Sequence, residues 1–310
     1  AAGADICIAE ALLEAGAELH LILPLEPDSF RKISVSRYGD IWAKRYDEIL
    51  VSAESIRSVG TQPEQLSTLT LQLAAEVAMG CAVMQATTMM TDAVQLLILD
   101  QDTVTKTVTG SSTWIRSAWA ENARRQHIIA SPRTRAADMC SCTSPPVQNA
   151  SALAAMLRIA RPDTNPLPLS ANIVQQLCDT WAMGPAPMFP PRWVGDAVTV
   201  AFDTPAHAAH AALAAMRALA DDADICIAGH YGIAELAADP FGSGTVLLGP
   251  AAAWSGRIVR TAPPGTIQLT ENFAAALHIG PEQTQPGVEY IGEISSSGIS
   301  STTRLFALTH

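Results

Sequence analysis

The chain has 310 residues, 48% of them hydrophobic, and a formal net charge of −11 at pH 7. That length and apolar content are sufficient for two domains with separate cores. The acidic balance and the lack of a Lys/Arg block argue against nucleic acid as the main partner, because binding phosphates requires clustered basic side chains.

The cysteines and the hydropathy of the sequence indicate the cellular compartment of the protein. Four of the six cysteines lie in apolar runs, where a thiol acts as a small hydrophobe. Cys140 and Cys142 lack a second Cys/His pair at zinc spacing, which argues against a metal site. No apolar run reaches the about 18 residues of a membrane span, and the N-terminus lacks the charged start of a signal peptide. We therefore predict a cytoplasmic protein without a membrane partner.

Residues 1–131 alternate predicted helices with short apolar strands. Helices are expected at 3–15, 39–50, 66–88 and 113–124, and strands at 18–23, 55–59, 93–99 and 127–130. This alternation is typical of a parallel sheet covered by helices on both faces. It predicts a Rossmann-like α/β domain, whose ligands bind beyond the carboxyl ends of the strands.

A short segment after the third strand carries the first candidate ligand site. Gly110, Ser111, Ser112 and Thr113 precede a predicted helix, where free amides can hold a phosphate or ribose. The alternative is that Ser112 or Thr113 is an ordinary helix cap.

A second segment, "PLEPDSFRKISVSRYG", follows the strand that ends at Leu23. Its basic residues Arg31, Lys32 and Arg37 are either phosphate contacts or solvated surface. The sequence leaves both interpretations open.

The hexapeptide "ADICIA" occurs at 4–9 and again at 223–228. The first copy continues with helical spacing and is predicted to be helix, whereas the second is followed by "GHYGIAE" and is predicted to be strand. Because tertiary context overrides a short local preference, we interpret the repeat as coincidence.

Residues 132–150 are rich in Pro and small polar residues and are predicted to be a linker, and residues 151–310 to be a second domain. Its predicted helices lie at 170–182, 205–220, 250–259 and 271–277, and its strands at 243–248, 265–269, 289–294, 302–308, within "VGDAVTVAF" and in the second "ADICIA" copy. The Pro-rich "MGPAPMFPPRW" cannot supply a full hydrogen-bond ladder to a central strand. The pattern predicts an α+β domain with hairpins.

This second domain resembles the class III nucleotide cyclase catalytic domain. The resemblance lies in "RWVGDAVTVAFDTPAHAAHAALAAMRAL", "ICIAGHYGIAE", "GPAAAWSGRIVRTAPPGTIQLTENFAAAL" and "YIGEI". It implies an α+β ferredoxin-like cyclase homology domain that pairs with a second cyclase-type domain. "GADICIAEALL" and "GAELHLILPL" in the first half resemble the nucleotide-binding-like domain in front of some bacterial cyclase modules, whose first strand and glycine turn would precede Ala1.

The resemblance implies a metal-binding half of the site that this chain only partly keeps. Two carboxylates hold two divalent ions in the family, and Asp196 stands at the second position. The best match to the first position, "MLRIARPDTN", puts Ile159, Ala160 or Arg161 where the carboxylate is needed. Asp163 is displaced from it by several residues.

The partner-contributed half is also altered. "AAWSGR" places Ala253 where the family has a ribose-orienting Asn, and keeps Arg257. Val246 and Arg192 stand at the two base-reading positions. With both halves changed, the resemblance implies a domain that makes no cyclic nucleotide. An active cyclase, using Mg²⁺ or Mn²⁺ with ATP or GTP, is the alternative.

Several of these residues also have purely structural interpretations. Asp196 is expected to stabilise the hairpin turn after Gly195, and Arg257 either complements a helix dipole or meets phosphate. His207 and His210 share a helix face but lack a third zinc ligand, so a solvated edge is favoured. For His230, a packing or turn role is favoured.

Glu76 supports a rival function in the first domain. It lies in the apolar helix segment "AAEVAMG", where burial would raise a carboxyl pKa and permit N-glycosidase or deoxyribosyltransferase-like catalysis. The alternative places Glu76 on the polar edge of that helix.

Together these features predict a bacterial signalling protein that binds nucleotide, forms a homodimer or pairs with a cyclase-type domain, and has no certain cofactor.

Overall fold

The computed structural model describes residues 3–60, 66–100, 111–131, 150–163, 167–222, 224–239, 245–280, 286–295 and 302–309. The chain divides into two compact units, Ala1–Thr143 and Ser144–His310. The division falls within the segment predicted to be a linker. Each unit is described by itself.

The first unit alternates helices and parallel strands, as the sequence predicts. Its elements are α1 (Ala4–Glu14), β1 (His20–Leu23), α2 (Pro27–Phe30), α3 (Asp40–Ser52), β2 (Ser55–Ser58), α4 (Thr68–Thr88), β3 (Val94–Asp100), α5 (Ser111–Ala120) and β4 (Arg125–Ser131). Strand β1 pairs in parallel with β2, and β3 in parallel with β4. The described residues form two separate two-stranded sheets, so a single Rossmann-like sheet stays a prediction.

Helices α1 and α3 pack on β1 around one apolar cluster. Its buried members are Ile6, Ala9, Leu19, Leu23, Leu25, Phe30, Val35, Tyr46 and Ile49. At its edge, Arg45 Nε donates to Glu10 Oε1 over 2.7 Å and the guanidinium lies 4.4 Å from the Trp42 ring. This contact lowers the pKa of Glu10, chiefly through the hydrogen bond from Arg45. The ion pair ties α1 to α3.

Contrary to the expectation from sequence, helix α4 is long and apolar enough, by length and composition alone, to cross a membrane. Half of its most apolar stretch is nevertheless buried inside the described structure, where α4 contacts β1 and α5. The core helix of a soluble protein meets the same criteria. A capping box between Ser67 and Thr70 fixes where the helix begins.

The second unit is built on a mixed sheet. Its elements are β5 (Ala150–Ala160), α6 (Ala171–Ala182), β6 (Phe189–Val194), β7 (Ala197–Phe202), α7 (Pro205–Ala218), β8 (Cys226–Ala238), β9 (Thr245–Leu248), α8 (Pro250–Thr261), β10 (Ile267–Thr270), α9 (Glu271–His278), β11 (Gly287–Ser295) and β12 (Thr302–Thr309). The four helices agree closely with those predicted from sequence, whereas β5 and β6 were not predicted as strands.

The order of the strands gives a ferredoxin-like core. The sheet runs β11-β12-β10-β8-β5-β7-β6, with β9 beside the far end of β8. Strand β5 pairs antiparallel with both β7 and β8, and β6 forms a hairpin with β7. The sequence β5-α6-β6-β7-α7-β8 is therefore a βαββαβ unit with the order β6-β7-β5-β8. This confirms the predicted α+β ferredoxin-like topology.

The proline-rich strand lies at an edge of this sheet. Strand β6 pairs only with β7 among the described strands, and its register shifts between Phe189 and Arg192. Prolines supply no N–H to a second neighbour, so an edge position is the one that this sequence permits. The sequence-based prediction for this stretch is confirmed.

The two faces of β5 are covered by different helices. Ala154, Met156 and Ala160 pack in clusters with residues of α8, since alternate residues share a face. Gly229 of β8 lies on the other face of the sheet, where it approaches Leu269 of β10 and Phe273 of α9. Helix α7 contacts β5, β7 and β8 and packs against α6 and α9. Thus α8 covers one face, and α7 with its neighbours covers the other.

The two "ADICIA" copies have different structures. Residues 4–9 lie in α1, and the described part of the second copy leads into β8 at Cys226. The prediction that they are not a structural repeat is confirmed.

We predict that Gly229→Ala destabilises the protein by about 1 to 3 kcal/mol. A Cβ at this position would lie 2.6 Å from Leu269 Cδ2 and 3.2 Å from the Phe273 ring, on a buried central strand. Gly184→Ala is the matched control, because its nearest neighbour is 3.9 Å away. Urea unfolding of both variants measures the difference, and equal stability would show that β8 and α9 are less tightly packed than described.

Candidate functional site

The tip of the β6–β7 hairpin carries the carboxylate that the sequence selected. Val194 and Ala197 pair across the hairpin, leaving Gly195 and Asp196 as a two-residue loop with φ 64° at Gly195. Half of the Asp196 side chain is exposed. The turn therefore fixes Asp196 at one end of the β6–β7 edge.

The group that faces Asp196 is a cation. Arg158 Nη2 lies 3.8 Å from Asp196 Oδ1. Arg158 belongs to β5, where it pairs in register with Thr199 of β7 and Ala228 of β8. Because alternate residues of a strand share a face, Arg158 lies on the face that α8 covers. It is beside Gly256, where an added Cβ would lie 3.7 to 3.8 Å from the guanidinium. A central strand and α8 thus hold this arginine against the hairpin tip.

Arg158 is largely desolvated and incompletely bonded. Its side chain is 23% exposed, and its Nε is buried without a hydrogen-bond partner among the described residues. Burial is the main cause that lowers the pKa of Arg158, and nearby Arg260 acts in the same direction, whereas Asp196 opposes them. Buried donors are normally satisfied, so this group has unused bonding capacity.

The other candidates for the first carboxylate position do not meet Asp196. Arg161 makes a double hydrogen bond to Asp222, with distances of 3.0 and 2.6 Å. Asp163 Oδ1 lies 3.6 Å from Arg260 Nη1, near the end of α8. Ile159 is buried and, by alternation, points to the face opposite Arg158. The sequence singled out positions 159–161 and missed Arg158, the residue that the register brings to Asp196.

These residues do not fit a divalent metal pair. Within the residues that the structure describes, no cluster of three or more His, Cys, Asp or Glu side chains is suited to a metal. A cation held about 4 Å from the guanidinium would be repelled by about 4 kcal/mol per unit charge at an effective dielectric constant of about 20. Asp196 beside Arg158 is therefore an ion pair, and the predicted role as a residual metal ligand has no geometric support.

Helix α8 carries the partner-side residues. Arg257 has its guanidinium carbon 5.6 Å from the centre of the Trp254 ring. The buried Trp254 also stacks on His230 at 6.3 Å between centroids and 20° between planes. Ala253, at the position of the family's Asn, has no polar group to offer. Arg257 is thus positioned by an aromatic neighbour, and its role toward phosphate stays a prediction.

The two base-reading positions lie on different strands. Arg192 is exposed on β6, opposite Thr199, and Val246 is on β9, opposite Ala237. Both side chains belong to short outer strands of the sheet.

The histidines have structural partners. His207 Nδ1 lies 2.7 Å from Asp203 Oδ1, and His210 Nδ1 lies 2.9 Å from the Ala206 carbonyl. His230 is buried and lies 3.0 Å from the Thr270 hydroxyl. These contacts favour the packing and solvated-edge interpretations.

In the first unit, two of the basic residues considered as phosphate contacts, Arg31 and Arg37, contact other side chains of the same unit. Arg31 donates to both carboxylate oxygens of Asp47 at 2.7 and 2.9 Å, and Arg37 lies 5.2 Å from the Tyr38 ring. Gly110, Cys140 and Cys142 lie outside the described residues. Ser111, Ser112 and Thr113 begin α5, but their side chains lie outside the described part as well.

Glu76 is buried in α4 and accepts a 2.9 Å hydrogen bond from Gln72. Its 6% exposure places it in the interior of the unit, in place of the polar edge that was the alternative. Burial is the environment that the catalytic interpretation of Glu76 expects, and its role in N-glycoside chemistry stays a prediction.

Comparisons with known proteins give low-identity matches among solved structures. No family model and no curated protein matches the chain. The matched structures include the adenylyl cyclase CyaB from P. aeruginosa (12% identity, TM-score 0.39, 53% of this chain and 97% of that one). They also include adenylate cyclases from Trypanosoma brucei (13%, 0.40, 50% and 87%) and the guanylyl cyclase Cya2 (12%, 0.38, 52% and 93%). Such values leave activity and substrate to be inferred from the site.

We predict that His230 makes the protein less stable as the pH falls from about 6.5 to about 3. Burial lowers the pKa of His230 to about 3, well below its ordinary value of 6.5. In this window the unfolded chain binds a proton that the folded chain does not, which costs up to about 1.4 kcal/mol per pH unit. Urea unfolding across the window is expected to show a shallower pH slope for His230→Gln.

The control is His210→Gln, because His210 is exposed. Its pH slope is expected to match that of the unchanged protein. Identical slopes for all three proteins would contradict the assignment of the effect to His230.

Proposed function

We propose that the second unit is a degenerate class III cyclase-type domain that binds nucleotide and mediates dimerisation without forming a cyclic nucleotide. The first unit is the nucleotide-binding-like domain joined to it. The pair acts as a cytoplasmic signalling or regulatory protein. The partner is a second copy of this chain or a cyclase-type domain.

One observation carries the loss of catalysis in this proposal. The cyclase reaction implied by the resemblance needs two carboxylates for two divalent ions, whereas Asp196 faces Arg158. Replacement of a carboxylate by a guanidinium removes a ligand and adds a repulsive charge in the same place. The change therefore opposes metal binding in two ways, through the lost ligand and through the repulsive charge.

Two further features support the proposal. The βαββαβ core and the Gly195-Asp196 hairpin tip give the domain the architecture that the sequence resemblance implies. Ala253 replaces the residue that would orient the ribose, while Arg257 remains on α8 as a cation for phosphate. Recognition of the phosphate chain is thus better supported than turnover.

We predict that the purified chain converts none of ATP, GTP, CTP or UTP to a cyclic nucleotide in the presence of Mg²⁺ or Mn²⁺. The physical reason is that Asp196 alone, beside a fixed cation, cannot hold the metal pair. Mass spectrometry of the incubated mixtures, with an active class III cyclase as the positive control, measures this. Adding NAD to the series tests for release of free base by the first unit.

Cyclic nucleotide that disappears in Asp196→Asn but persists in Asp203→Asn would overturn the proposal in favour of an active cyclase. Asp203 is a suitable control because it is an exposed carboxylate engaged by His207. Release of free base, abolished by Glu76→Gln, would move the chemistry to the first unit. Sedimentation velocity on the same preparation tests dimerisation, and a monomer at all concentrations, alone or with a cyclase-type domain, would refute that part.

A further inference from the structure

Arg158 is a charged side chain on β5, a central strand of the second unit. The residues around it on β5, from Ala154 to Ala160, are otherwise apolar and almost fully buried. A guanidinium in such a strand loses hydration and needs bonded partners to compensate. Its contact to Asp196, at 3.8 Å, is an ion pair longer than a hydrogen bond.

The bonding capacity of Arg158 is only partly used. A guanidinium has five N–H donors in a planar fork, and Nε of Arg158 is buried without a partner among the described residues. Phosphate oxygens match that fork in geometry and charge. Because Nε itself is buried, an incoming phosphate would meet the Nη groups of the fork, where the contact to Asp196 is 3.8 Å long.

A second arginine and two carboxylates surround Arg158. Arg260 is close enough to disfavour the charged form of Arg158. Asp163 balances part of the Arg260 charge at 3.6 Å, and Asp196 balances part of the Arg158 charge. The two arginines and the two exposed carboxylates balance in formal charge, and α8 presents no side chain at Gly256 beside the Arg158 guanidinium.

We propose that this domain binds the phosphate chain of a nucleotide without a divalent metal ion, with the Arg158 guanidinium supplying the positive charge that a metal ion would otherwise bring. This inference rests on the proposed nucleotide binding and goes further, because it names the phosphate contact and removes the metal requirement. It follows because the positive charge of Arg158 is incompatible with a metal ion bound beside Asp196. Arg158 is a binding residue in this account, and no covalent step is involved.

Isothermal titration of the full chain with ATP, GTP and inorganic tripolyphosphate tests the inference. Each probe is titrated once in excess EDTA and once in excess Mg²⁺. The affinity in EDTA is expected to equal or exceed that in Mg²⁺, because Mg²⁺ neutralises the phosphates that Arg158 binds. This comparison needs no variant and so does not depend on how a substitution folds.

Substitutions of Arg158 then test whether this residue makes the phosphate contact. Arg158→Ala is expected to weaken binding in EDTA by about tenfold or more, which corresponds to about 1.4 kcal/mol, and Arg158→Lys to weaken it less. Arg304→Gln is the matched control, because Arg304 lies on β12, three strands from β5 in the same sheet. Its affinity is expected to be unchanged. Thermal unfolding checks that each variant is folded.

The outcomes separate the two proposals. Binding that requires Mg²⁺ and is unaffected by Arg158→Ala would overturn the metal-free inference and leave nucleotide binding intact. No binding of any probe in either condition would refute nucleotide binding itself. Binding in EDTA that is lost equally in Arg158→Ala and Arg304→Gln would reflect general charge attraction and would also overturn the role of Arg158.

Discussion

The ion pair between Arg158 and Asp196 joins the central strand of the second unit to the tip of its edge hairpin. Both positions are set by the sheet. The register of β5 against β7 and β8 places Arg158 on the α8 face, and the two-residue turn at Gly195 holds Asp196 beside it. A carboxylate at this point would favour cations, whereas the guanidinium favours anions. The charge that faces Asp196 therefore depends on one side chain, which the strand register places beside the hairpin.

The rest of the unit shows how such a charged group is accommodated. Strand β5 has neighbours on both edges and helices on both faces, and 23% of the Arg158 side chain is exposed. Arg161, three residues later, is held by Asp222 in a short two-bonded ion pair, although its Nε, like that of Arg158, is buried without a hydrogen-bond partner among the described residues. The two arginines differ in their carboxylate contact, since Arg161 is bonded twice at hydrogen-bond distance and Arg158 has an ion pair of 3.8 Å.

Much of the secondary structure was predictable from periodicity and from turn residues. Every described helix of eight or more residues was predicted to within a few residues, and the prolines of β6 correctly excluded a central position, although β5 and β6 were not predicted as strands. The site was harder to predict, because a strand shows which residues share a face but not which partner its register selects. Positions 159–161 were matched to the missing carboxylate, yet Ile159 points to the other face and Arg161 bonds elsewhere. The available signal was one arginine at position 158 in the apolar run "ALAAMLRIA".

The most direct test of this account is electron paramagnetic resonance of Mn²⁺ added to the purified chain and to Arg158→Asp. The account predicts that Mn²⁺ stays free with the unchanged chain. In Arg158→Asp, which restores a second carboxylate beside Asp196, Mn²⁺ is predicted to bind, and Asp196→Asn in that background to abolish the binding. Mn²⁺ bound by the unchanged chain and released by Asp196→Asn would contradict the central claim that Arg158 takes the place of a metal ion.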